Sequence, residues 1–163
     1  MTALKMPALL TGTEPALVAE VPGAGGRWSQ VHFNVQVTRR FFGLTEGSTR
    51  SITLERIGST GTVVARIASR LVMPESNRNS RIEFDFHPLP KYPSKDTKPI
   101  VVVIDAGNLT YRYRLLMPSD SGYQPMRDLL AAGPSEGRGV NRRIVTLDEV
   151  EGFWPQAMLR GGL

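Results

Sequence analysis

The chain has 163 residues, 20 Lys and Arg against 15 Asp and Glu, a net charge of +5, two histidines and no cysteine. The length suits one domain with a sizeable core, and the missing thiols exclude a disulfide framework, a zinc finger, a cysteine nucleophile and an iron–sulfur site. No apolar run approaches the roughly 20 residues of a membrane helix, and Met1 to Leu10 lacks the apolar core of a signal peptide, so a cytoplasmic protein without membrane contact is expected.

Residues 1–15 read as a flexible arm and 16–163 as a single domain. Trp28 to Val37 alternates strictly, with Val31, Phe33, Val35 and Val37 on one side and Gln30, His32, Asn34 and Gln36 on the other, which predicts a half-buried strand. Arg39 to Leu44 reads as a helical turn carrying Phe41 and Phe42. Arg50 to Ile57 and Thr62 to Val72 flank a Gly58-Ser59-Thr60-Gly61 turn and predict a hairpin. Arg81 to Phe86 alternates again, and Pro88 to Pro99 reads as a connecting loop. Ile100 to Ile104 and Leu109 to Leu116, joined by Asp105-Ala106-Gly107-Asn108, predict a second hairpin. A helix is expected over Gln124 to Ala132, stopped by Gly133-Pro134, and a loop over Gly133 to Gly139. A second helix starts at Thr146, where Thr146 and Glu149 have capping-box spacing, and ends at Pro155. Seven or so strands with a few short helices predict a mainly β domain, a closed or half-closed barrel.

No catalytic constellation emerges. There is no Gly-x-Ser-x-Gly elbow and no phosphate-binding glycine loop ahead of a helix. His32 and His87 have no ligand partner at metal-like spacing. Asp85 with Asp96-Thr97-Lys98 has the spacing of a metal-dependent nuclease, but Pro93 and Pro99 bracket the second acid within a loop. The chain itself is therefore expected to be non-catalytic, with no metal and no cofactor.

Polar side chains and positive charge concentrate instead. Between Gly26 and Lys91 there are 10 Lys and Arg and 5 acids, while the remainder balances at 10 against 10. Arginine outnumbers lysine 16 to 4, which suits bidentate recognition of phosphate and guanine and which a GC-rich genome also produces. Within that segment, Ser76-Asn77-Arg78-Asn79-Ser80-Arg81 has residue types that read base edges, although Asn and Ser are also turn formers. A second cluster, Arg27, Ser29, Gln30 and His32, lies where a glycine-rich turn enters the first long strand.

Gly23-Ala24-Gly25-Gly26-Arg27-Trp28-Ser29-Gln30, the strand after it, the Phe41-Phe42 pair, the Arg/Asn loop, the paired apolar strands and the Pro118-Ser119-Asp120-Ser121 turn together resemble the effector-type DNA-binding domain of restriction endonucleases such as EcoRII. The resemblance spans about residues 21–133 and is one of pattern more than identity. It implies the DNA-binding pseudobarrel, an open β-barrel shared with plant B-three transcription factors, whose two arms enter the major groove. The first arm then corresponds to Gly25 through His32 and the second to Ser76 through Arg81. It also implies a separate nuclease domain linked to this one.

The expectation is a sequence-specific binder of double-stranded DNA. Arg27, Ser29, Gln30 and His32, with Ser76, Asn77, Arg78, Asn79 and Arg81, would read bases, and Arg39, Arg40 and Lys91 would contact phosphate. A structural or assembly protein such as a phage component, and a non-specific nucleic-acid binder, are the alternatives. A single-strand or RNA binder ranks lower because aromatic residues make up only 7% of the chain, too few for a stacking surface beyond the strand cores.

Overall fold

The computed structural model describes residues 10–23, 28, 30–45, 47–72, 80–86, 90–94, 96–137 and 139–160, excluding the side chains of Gln30, His32, Val35 and Ser80. Along the chain run β1 (Pro15–Glu20), β2 (Gln30–Phe33), α1 (Val35–Arg40), β3 (Thr49–Ile57), β4 (Val63–Val72) and β5 (Ser80–Glu83). They are followed by β6 (Ile100–Asp105), β7 (Thr110–Leu116), α2 (Tyr123–Ala131), β8 (Arg142–Thr146) and α3 (Leu147–Phe153). Among the described residues the eight strands form one sheet in the order β2-β5-β4-β3-β7-β6-β1-β8.

The curled sheet buries both of its faces on one side of the molecule and only one on the other. Its inner face closes over Leu17, Val31, Phe33, Leu54, Ile82, Val103, Tyr111 and Tyr113, plugged by Phe41, Phe42, Phe84 and Phe86. Its outer face along β1, β6 and β7 packs Val18, Val102, Ile104 and Leu116 against Met126, Leu129, Leu147 and Val150 of the helices. This explains why Ile100 to Ile104 is apolar without alternation: residues of a strand covered on both faces have no solvent side. On β4 the outer face is bare, and Val64, Arg66, Ala68, Arg70 and Val72 are exposed there in strict alternation.

The strands divide into a β2-β5-β4-β3 half and a β7-β6-β1-β8 half. These join through β3 and β7, the parallel pairing among the described residues, in register from Thr53↔Thr110 to Arg56↔Tyr113. On the outer face of that junction Glu55 is buried. It accepts from Arg112 Nε of β7 at 3.2 Å and from Arg66 Nε of β4 at 2.8 Å. Arg112 also donates to the Arg160 carbonyl at 2.8 Å, tying the C-terminal segment to the same point. On the inner face the Tyr113 hydroxyl donates to the Asp85 carbonyl at 2.7 Å and accepts from its amide at 2.9 Å, strapping residues 84–86 across the barrel.

Among the described residues no strand ladder joins the outer edges, β2 and β8, so the barrel is an open pseudobarrel, as expected. Side chains bridge the gap. Asn34 Nδ2, just after β2, donates to the Glu136 carbonyl at 2.9 Å, Arg40 pairs with the Glu136 carboxylate, and Arg142 of β8 donates to the Glu136 carbonyl at 3.1 Å. Gly137 lies so close to Asn34 that a β-carbon would overlap its amide, and its φ of +82° favours glycine independently.

Both hairpins form as expected, and Thr146 caps α3 by accepting from the Glu149 amide. The strand expected over Trp28 to Val37 is corrected: it ends at Phe33, and Val35 to Arg40 is helical. Asn34 caps that helix by accepting from the Val37 amide at 2.9 Å, and the buried Val37 and Phe41 are four residues apart, a helical face rather than a strand face. The helix then ends before the Phe41-Phe42 pair that was expected to lie within it. The strand expected to Phe86 stops at Glu83, although Phe84 and Phe86 are buried. β1 and β8 are additional strands. Of residues 1–15, 1–9 lie outside the described residues, while Leu10 is buried and its amide donates to the Arg160 carbonyl at 3.1 Å. No described helix is long and apolar enough to cross a membrane.

Glu55→Ala leaves the buried Arg112 guanidinium without its carboxylate, so urea unfolding should show a loss of about 3–5 kcal/mol, whereas Arg66→Ala should cost no more than about 1 kcal/mol. Equal effects would contradict the role given to the junction. Burial pushes the Tyr111 and Tyr113 hydroxyls up to about 12, against about 10 in the unfolded chain. The folded state thus holds these protons more tightly. The stabilisation is complete below pH 10 and is lost as pH rises through about 12, which ultraviolet titration of the two phenols will follow.

Candidate nucleic-acid interface

The two segments singled out as reading arms emerge at opposite ends of one strand pair. β2 and β5 are antiparallel with Gln30↔Glu83, Val31↔Ile82, His32↔Arg81 and Phe33↔Ser80 in register. Residues 24–29 lead into β2 at Gln30, at the Glu83 end, and residues 73–79 lead into β5 at Ser80, at the Phe33 end. The four paired positions span roughly 10 Å along the strands. Arg27, Ser29, Ser76, Asn77, Arg78 and Asn79 lie outside the described residues, and Gln30 and His32 are described by backbone only. Of the nine expected base readers, Arg81 alone has a described side chain, and it is exposed.

The root of the first arm is well defined. Trp28 is buried against Phe86 and, edge-on, against Tyr92, with ring centroids 5.5 Å apart in both pairs. Its indole Nε1 donates to the Pro90 carbonyl at 3.1 Å, and the Tyr92 hydroxyl donates to the Val21 carbonyl at 2.6 Å. A β-carbon on Gly23 would press within 3.1 Å of the Tyr92 ring. One aromatic clamp therefore holds Val21, ahead of the proposed arm, and Trp28, within it. Lys91, expected at phosphate, is exposed between the two residues of that clamp's third segment, Pro90 and Tyr92.

Two groups stand out among the described arginines. Arg112, Arg114, Arg142, Arg143 and Arg160 donate to the backbone carbonyls of Arg160, Ala157, Glu136, Leu129 and Leu10 respectively, and Arg114 also stacks 4.6 Å over Trp154. Burial lowers the pKa of Arg114 and Arg142 from the ordinary arginine value, which nonetheless leaves them charged. These side chains staple the C-terminal half. Arg50 serves similarly, donating to the Phe42 carbonyl at 2.9 Å. The second group faces solvent on the bare side of the sheet: Arg66 and Arg70 on β4, and Arg81 across from Val72 on β5. Arg66 and Arg70 are absent from the sequence-derived set. Their signal is the four-residue spacing within a strand, which puts both on one face once the buried face is known.

Arg39 and Arg40, the other phosphate candidates, are exposed on the last turn of α1, and Arg40 is engaged by Glu136. His87 lies outside the described residues. Asp85 is fixed through its backbone by Tyr113, and Asp96 is exposed on a turn. Among the described residues no three His, Asp or Glu side chains cluster as a metal site. Every described aromatic ring is buried or partly buried except Phe153, at the end of α3 and away from β4.

No family model matches the sequence, and no curated protein matches it. Among solved structures, the N-terminal domain of Helicobacter pylori LlaJI.R1 matches over 80% of this chain and 97% of that one, with a TM-score of 0.53 and 7% identity. The chain shares that domain's fold. The B3 domain of the UbaLAI restriction endonuclease, solved with cognate DNA, covers 83% of this chain and 89% of its own, with a TM-score of 0.49 and 13% identity.

Tyr92→Phe removes the bond to Val21 while leaving the ring contacts, so urea unfolding should register a loss of about 0.5–1.5 kcal/mol. An unchanged midpoint would mean that the hydroxyl contributes nothing to holding the arm's root.

Proposed function

We propose that this chain is a sequence-specific double-stranded-DNA-binding domain that enters the major groove with two arms, residues 25–32 and 76–81. The observation that carries the reading is the pairing of β2 with β5. Two polar clusters about 50 residues apart in sequence lead into the two ends of one strand pair, with His32 and Arg81 at partner positions. A major groove roughly 12 Å wide admits such a two-stranded element. The pseudobarrel is the fold that the resemblance to restriction-endonuclease DNA-binding domains implies. The bare sheet face beside the arms carries arginines and, among its described side chains, no aromatic ring, which favours a duplex over a stacked single strand.

In this reading Arg27, Ser29, Gln30 and His32 form one reading group and Ser76, Asn77, Arg78, Asn79 and Arg81 the other. Lys91 and Arg39 contact flanking phosphate, and Arg40 does so from its ion pair with Glu136. Bond cleavage is left to a linked nuclease domain.

Selection from a random duplex library at fixed salt should enrich one short motif. Arg81→Ala should then cost about 1–3 kcal/mol on that motif and relax preference at one or two of its positions. Salt-sensitive binding with no enriched motif would reduce the domain to a general nucleic-acid binder. No duplex binding at all would favour the assembly-protein alternative.

A further inference from the structure

Resting on that reading, we infer that the bare outer face of β4 is a rail for the sugar-phosphate backbone of the bound duplex, with Arg66 and Arg70 as its contacts and Arg81 as its end at the second arm. The face is built for close approach. Between and beside the two arginines it carries Ala68, Ser51 and Thr53, all short, with Ser51 in register with Arg70 and Thr53 with Ala68. Arg66 and Arg70 are four residues apart on one strand, roughly 13 Å, and Arg81 follows diagonally at roughly 8 Å across the Val72↔Arg81 pairing.

The charge on this face is only partly neutralised from within. Glu83, exposed two residues along β5 from Arg81, offsets charge at the arm end. Glu55 lies beside Arg66, and the buried Arg112 already balances it, so the Glu55, Arg66 and Arg112 group carries one surplus positive charge. That surplus is presented by Arg66, whose side chain is 55% exposed against 1% for Arg112. Glu55 also fixes the Arg66 guanidinium through two donors, reducing the side-chain entropy lost when an anion binds. Arg70 and Arg81 have no ion pair or hydrogen bond among the described residues. A row of guanidinium groups with surplus charge over short side chains complements a phosphodiester strand, and with no aromatic ring among the described side chains of this face it does not suit stacked single-strand bases.

The test is the salt dependence of duplex binding by the full chain, followed by fluorescence anisotropy on the selected duplex, a scrambled duplex and a single strand. For the variant carrying both Arg66→Gln and Arg70→Gln, the slope of log affinity against log salt should become shallower by about 0.9 per arginine. Between 50 and 200 mM salt, affinity should therefore fall roughly tenfold less than for the unaltered protein. Selected and scrambled duplexes should lose affinity by the same factor, leaving their ratio unchanged. Arg70→Gln breaks no hydrogen bond or ion pair among the described residues and should give half the change in slope with an unaltered urea midpoint, and Arg66→Lys should keep the original slope.

An unaltered slope in the double variant overturns the rail, and if the selected motif is still preferred, the reading of the arms stands. A slope that flattens in a protein lacking any preferred motif supports the rail and overturns the reading. Equal flattening on the single strand overturns the commitment to duplex, as does a fall in the ratio of selected to scrambled binding for the rail's role as a phosphate contact.

Discussion

The ion pair between Glu55 and Arg112 sits where the two halves of the sheet meet. Those halves differ in what covers them. One is packed on both faces, with helices outside and aromatic rings inside. The other is packed on its inner face and bare on its outer one. Four residues of parallel pairing between β3 and β7 join them, and parallel pairing is slightly less stable per residue than antiparallel. Burying a carboxylate there is costly unless it is fully paired. It is paired across both neighbouring strands, so the same contact that secures the junction also orients Arg66 toward solvent.

This arrangement separates scaffold from surface. The C-terminal arginines hold the helices and the final segment to the sheet by donating to backbone carbonyls, those of Arg160 and Leu129 accepting a backbone amide as well, a use that suits a rigid, multi-donor side chain. Arg66, Arg70 and Arg81 stand on the half where no helix competes for the sheet. The preference for arginine over lysine therefore has two origins in one chain, and composition alone merges them.

Strands with a single buried face are legible in the sequence where alternation reports one-sided burial, as in β3 and β5. β8 has no sequence signal because Arg142 and Arg143 open it with two charged side chains, which turn their guanidinium groups onto carbonyls of Glu136 and Leu129. The α1 error has the same character. Val31, Phe33, Val35 and Val37 satisfy a period of two, and only the Asn34 cap and the position of Phe41 reveal the switch to a period near four. For the interface, loop composition marked both arms, yet Arg66 and Arg70 stayed unnoticed because which side of β4 is bare depends on where the helices pack. Arg40 illustrates the reverse: a cation that composition nominates, and that the closure between β2 and β8 already employs.

In the proposed reading, a domain with two arms rooted on one strand pair, a charged strand beside them and helices behind offers one face to a duplex and keeps the other for its own core. Backbone hydrogen exchange of the full chain with and without the selected duplex tests this division most directly. The account predicts slowed exchange confined to β2, β4, β5 and the segments leading into β2 and β5, with α2, α3, β1 and β6 unchanged. Protection centred on α2 and α3, with β4 and β5 unaffected, would contradict it.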